Sequence, residues 1–203
     1  MGGRGGRSGI HHGGGSLRDL LNTQGRVLSP SEAMPLANPH YSEDYLYQVN
    51  CQRCVWAYEM LRRGYSAEAA QAYSSEYEGT VDSIRDMWMS APNADSRNFM
   101  MLNRTTRDVN EQYKIAEAKL QEWGEGSRAI MANVWKNGGG HIWNVEYSGG
   151  KVHYYDAQIG KEVDIANRNN RSSTLDIFAR VDDLDVPNKV MNAVLIKKRR
   201  KTK

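Results

Sequence analysis

The first part of the chain repeats its apolar residues at helical spacing, and the last part alternates them as strands do. Asn50 is a helix-capping residue; Val55, Tyr58 and Leu61/Arg62 follow at three- or four-residue spacing, and Gly64 supplies a stop. This predicts a helix over Cys51 to Arg63. Ser66 opens a second helical segment, rich in Ala and Glu, to about Ser74, and Val81 to Met89 is amphipathic before Pro92 and Asn93 end it. Thr106 to Trp123 reads as a longer helix closed by Gly124 and Gly126. Strand-like runs then follow at Arg128 to Trp135, His141 to Tyr147, Lys151 to Gln158, Phe178 to Leu184 and Lys189 to Ile196. Helices first and strands afterwards predict an α+β fold, with N-terminal helices packed on a C-terminal antiparallel sheet.

Residues Met1 to Ser16 are too rich in glycine to order cheaply, and the stretch to Pro39 is broken by Pro30, Pro35 and Pro39. The expected organisation is a flexible tail and connector over 1–37, a folded domain over 38–196 and a basic tail over 197–203. The adjacent His11 and His12 fall in the glycine-rich tail and read as disordered rather than metal-binding.

At 203 residues, with 39% hydrophobic and 25% charged residues, the chain fits one ordinary globular domain. A net charge of +3 calls for no nucleic-acid partner, and the C-terminal run from Lys197 to Lys203 reads as a solvated tail. Its rival reading is a non-catalytic module that contacts nucleic acid through that tail. No apolar stretch is long enough to span a membrane, and no apolar core of a signal peptide opens the chain.

Geometry ties two distant residues together. If Gly149 and Gly150 are the central pair of a tight hairpin turn, Ser148 faces Lys151, Tyr147 faces Val152 and, counting outward, Trp143 faces Asp156 and His141 faces Gln158. His141, Trp143, Asp156 and Gln158 then share one sheet face, and Asp156 is the diagonal neighbour of His141. A carboxylate so placed holds an imidazole in one tautomer and favours its protonated form. The same register puts His153 on the other face.

The only two cysteines, Cys51 and Cys54, lie within one helical turn. Cys51 follows the cap residue directly, where free N–H groups and the helix dipole favour a thiolate, and Arg53 adds positive charge. Cys54 lies one turn on and competes for the role. A thioredoxin-like redox pair lacks the preceding strand, a zinc site lacks a second ligand pair, and simple burial of both thiols stays open.

The segment from Asn50 to Tyr65, NCQRCVWAYEMLRRGY, resembles the opening motif of papain-fold toxin domains of the glutamine deamidase type. Gly126-Ser127-Arg128-Ala129, Gly140-His141-Ile142-Trp143-Asn144 and Asp156-Ala157-Gln158-Ile159-Gly160 resemble that family's later motifs, in order, while Tyr73 to Asn103 matches none. The resemblance implies a papain-like fold and a Cys–His–Asp triad of Cys51, His141 and Asp156, with no cofactor or metal. Gln158, Gln48 and Trp143 are the expected substrate-binding residues. Gln48 stands six residues before Cys54, the spacing of the oxyanion-hole glutamine in papain-type enzymes, which keeps Cys54 in contention. Similar domains occur in polymorphic toxins and in phage head proteins, so the implied partners are a protein substrate, an immunity protein or phage head proteins. The implied reaction is deamidation of a protein glutamine, with a cysteine peptidase and a non-catalytic head-associated module as its rivals.

Overall fold

The computed structural model describes residues 15–72, 80–135, 138–164 and 174–197. His11, His12 and residues 198–203 of the basic tail lie outside them.

Residues expected to form a connector instead carry two helices, α1 (Leu17–Leu21) and α2 (Pro30–Ala37). Each begins with a capping box, Ser16 with Asp19 and Ser29 with Glu32. Pro30 takes the first helical position, where a missing N–H costs nothing. Leu20, Ala33 and Ala37 are fully buried in the same core as the rest of the protein, so the packed body starts well before residue 38.

The central helix α3 (Cys51–Arg62) ends in a Schellman motif: Tyr65 N–H donates to Met60 O at 2.9 Å and Gly64 N–H to Leu61 O at 3.0 Å. Gly64 has φ +85°, and a Cβ there would sit 2.6 Å from Gly25 O, so only glycine fits. Every residue from Arg53 to Leu61 is buried. A helix enclosed on all sides must pair its charges. Glu59, 0% exposed, accepts from Arg128 at 2.9 Å and from Arg63 at 2.7 Å. Burial works against its charge, but the two guanidinium groups outweigh it and hold the carboxyl below its usual range.

The second helical segment expected after Ser66 is a strand, β1 (Ala67–Ala69), paired antiparallel with β8 (Val194–Ile196). Ala and Glu favour helix locally. Here Ala67 and Ala69 alternate into the core with Glu68 between them, and the distant pairing overrides propensity. Two more helices, α4 (Val81–Trp88) and α5 (Val109–Trp123), follow the sequence pattern; α5 starts at Val109 rather than Thr106 because Asp108 caps it, accepting from Asn110 N–H.

The main sheet contains β2 (Phe99–Met101), β3 (Arg128–Val134), β4 (Gly140–Ser148), β5 (Lys151–Asp156), β6 (Lys161–Glu162) and β7 (Thr174–Arg180). Their order is β2-β7-β3-β4-β5-β6, every neighbour antiparallel. The strand expected over Phe178 to Leu184 thus begins earlier and stops at Arg180, and that expected over Lys189 to Ile196 is a 3-10 turn, Val190–Asn192, followed by the short β8. On β3, Ile130 and Ala132 pack with α3, whereas Ala129 and Met131 pack with Ala116 and Leu120 of α5. The sheet is therefore covered on both faces, which explains why Ala129 to Ala132 of β3 read as a continuous apolar run. Asn144 of β4 donates to Val55 O at 3.1 Å, fixing the sheet against α3.

Candidate active site

Cys51 is the first residue of α3 and is half-buried. Asn50 precedes it as the sequence predicts, but its side chain caps no helix N–H. Instead Asn50 Nδ2 donates to Ala70 O at 3.0 Å and to Asn38 Oδ1 at 3.3 Å, while its Oδ1 accepts from the Cys54 thiol at 3.1 Å. Cys54 is 0% exposed, and burial, then the nearby Cys51 and Asp156, push its thiol well above the ordinary range. The two cysteines of one turn therefore have opposite settings. One meets a cleft and the other is sealed in the core.

The β4–β5 hairpin turns on Gly149 and Gly150, whose φ values of +58° and +75° suit a primed two-residue turn. Its register pairs Ser148 with Lys151, Tyr147 with Val152 and Asn144 with Tyr155, as the Gly-Gly turn dictates. Just past the last of these pairs, His141 Nε2 meets Asp156 Oδ2 at 2.9 Å. Asp156 is 2% exposed, and its other oxygen accepts from Gln158 N–H at 3.1 Å. Cys51 lines the same cleft as His141 and acts on the imidazole electrostatically. Burial opposes charge on the imidazole, but the hydrogen bond to Asp156 and the nearby Cys51 sulfur outweigh it and raise His141 to about 9. The structure thus brings Cys51, His141 and Asp156 together from the start of α3, the start of β4 and the end of β5. His153 pairs with Glu162 at 2.7 Å, away from them.

Cys51 and His141 open onto a cleft of about 380 Å³, walled by Gln52, by Thr80 and Ile84 at α4, by Asn133 of β3 and by Asp176 of β7. That volume is at the small end for ligand sites and suits a single side chain.

The three residues expected to bind substrate sit elsewhere. Trp143 is 0% exposed, packed in the core beside α5 with its ring centroid 5.9 Å from that of His141, so it backs the imidazole and does not line the cleft. Gln48 is exposed at the end of a 3-10 turn and is absent from the cleft wall. Gln158 is 8% exposed and contributes through its backbone: its N–H holds Asp156, and its carbonyl accepts from Asn38 Nδ2 at 3.0 Å. Sequence reasoning missed Asn38, which links α2, Gln158 and Asn50, and Asn133, whose Oδ1 accepts His141 N–H at 3.2 Å. The one available signal was a buried asparagine within an otherwise apolar strand, since buried amides need partners.

No curated protein and no solved structure matches the chain. A family model described as papain fold toxin 1, glutamine deamidase, matches residues 49–161. The matched segment holds α3, the β4–β5 hairpin and the Cys51, His141 and Asp156 cluster, and it spans more than half of the 203 residues; the chain belongs to the papain-fold glutamine deamidase toxin family.

Proposed function

We propose that the protein is a cysteine-dependent amidohydrolase that deamidates a glutamine side chain of a target protein, with Cys51 as nucleophile, His141 as general base and acid, and Asp156 orienting the imidazole. The observation that carries this reading is the His141–Asp156 hydrogen bond beside Cys51, with Cys51 and His141 lining one cleft sized for a single side chain. Nucleophile, base and orienting acid in sequence are what thiol acyl transfer requires.

In the first half-reaction His141 takes the proton of the Cys51 thiol, and sulfur attacks the carboxamide carbon. A C–S bond forms as the carbonyl π pair moves to oxygen. Collapse breaks the C–N bond, and the nitrogen takes the proton from His141 and leaves as ammonia. In the second half-reaction His141 removes a proton from water, the hydroxyl attacks the thioester carbon, the C–S bond breaks, and the departing sulfur takes the proton back from His141, giving glutamate and the free thiol. Asp156 keeps Nε2–H donated to itself, so that the other ring nitrogen faces sulfur throughout.

Incubation of the protein with a soluble cell lysate, followed by peptide mapping for glutamine-to-glutamate conversion, tests this reading. Conversions of about one dalton should accumulate with wild type and disappear with Cys51→Ala. New chain termini in place of such conversions would indicate a peptidase.

A further inference from the structure

Amide hydrolysis through a thioester needs a donor for the oxyanion besides the N–H of the nucleophile, and Gln48 does not line the cleft. We infer that Asn133 supplies this donor: its Nδ2–H binds the carbonyl oxygen of the target carboxamide and holds it as the negative charge develops. The inference rests on the amidohydrolase reading above and assigns one more group to the same site.

Several observations converge on this residue. Asn133 faces the same cleft as Cys51 and His141, and it is 6% exposed. It stands where the pairing of β3 with β7 slips by a residue, between Ala132 and Asn133, and such irregularities re-aim side chains beside active sites. On the other edge of β3 it pairs with His141 itself. The orientation of its amide follows from hydrogen bonding: Oδ1 accepts His141 N–H at 3.2 Å, so the amide hydrogens are the end left over, and no partner takes them among the described residues. The strands cannot drift apart easily, because Gly140 lets β4 approach so closely that a Cβ there would lie 2.3 Å from Asn133 O.

The other amide on the cleft wall is already committed. Gln52 Nε2 donates to Ser83 Oγ at 3.0 Å, and its Oε1 lies 3.1 Å from the same hydroxyl. Among the described residues of the cleft wall, Asn133 is thus the amide whose donor end is available to a bound carbonyl. When sulfur attacks, the π electrons move to the carbonyl oxygen. Cys51 N–H, one of the unsatisfied donors at the helix start, and Asn133 Nδ2–H then hold that charge from two sides.

The test compares ammonia release from benzyloxycarbonyl-glutaminylglycine by wild type, Asn133→Ala, Asn133→Asp and Cys51→Ala, each first confirmed as folded by its melting curve. Asn133→Asp keeps the acceptor for His141 N–H, removes the donor and adds a negative charge, while Asn133→Ala removes the amide without adding charge. The inference predicts a fall in kcat of about 100-fold or more in both Asn133 variants, with KM changed by less than about threefold. The rate at which iodoacetamide alkylates Cys51 should stay within about threefold of wild type in Asn133→Ala, because alkylation develops no oxyanion. Full activity in Asn133→Asp would overturn the inference and leave Asn133 as a positioning residue for His141. A parallel loss of kcat and alkylation rate in Asn133→Ala would also overturn it. Wild type releasing no more ammonia than Cys51→Ala would sink the amidohydrolase reading itself, and the donor role with it.

Discussion

The Cys54 thiol donates to Asn50 Oδ1 at 3.1 Å, inside the core, while Cys51, three residues earlier on the same helix, lines the cleft with His141. One turn of helix therefore separates a thiol built into the packing from a thiol beside a base.

That separation predicts opposite outcomes for the two alanine variants. Cys54→Ala should keep deamidation within about threefold of wild type. It should lose about 1–2 kcal/mol of stability, since it opens a small void and removes one of the two donors to Asn50 Oδ1. Cys51→Ala should lose activity and keep its melting temperature. Iodoacetamide should label the cleft-facing Cys51 and leave the buried Cys54 intact, which peptide mapping reads directly.

The His141–Asp156 contact predicts a pH dependence of stability. His141 rises from an ordinary value of 6.5 to about 9 in the folded state, so the folded protein binds its proton more tightly than the unfolded chain. The resulting stabilisation is fully present below about 6.5 and is lost as pH rises through about 9. Urea midpoints of wild type should fall across that window. In Asp156→Asn the fall should be distinctly smaller, because the carboxylate that favours the imidazolium is gone.

Glu59 predicts a large effect far from the chemistry. It is 0% exposed between Arg128 and Arg63, so Glu59→Gln leaves two guanidinium groups without their counter-charge in the interior. A loss of about 3–5 kcal/mol is expected in chemical denaturation. The double replacement of Glu59 and Arg128 by apolar residues should recover part of it.

Gly64→Ala tests the end of α3. The φ of +85° and the 2.6 Å approach to Gly25 O leave no room for a methyl group, and a cost of about 1–3 kcal/mol should appear as a lower melting temperature.

Where the chain declares its structure locally, the sequence is a good guide. Gly149 and Gly150 can form a two-residue turn, which fixes the register that brings Asp156 to His141, and Asn50 and Gly64 bracket α3. What stayed hidden depends on distant partners. Ala67–Ala69 is a strand only because Val194–Ile196 lies beside it, and α1 and α2 are part of the body only because α3 and the sheet accept their small apolar faces. The substrate-side residues were misplaced for the same reason. Alternation puts Trp143 on the face of His141, but α5 covers that face and buries the indole, whereas Asn133 reaches the cleft through a slip in pairing that its own strand does not reveal.

The most direct test of the central claim is the intact mass of a target protein from the lysate survey, followed over time with wild type, Cys51→Ala and Cys54→Ala. Wild type and Cys54→Ala should each add about one dalton per converted glutamine to an uncut target, while Cys51→Ala leaves its mass unchanged. Conversion by Cys51→Ala at the wild-type rate, or cleavage of the target into two fragments, would contradict the account.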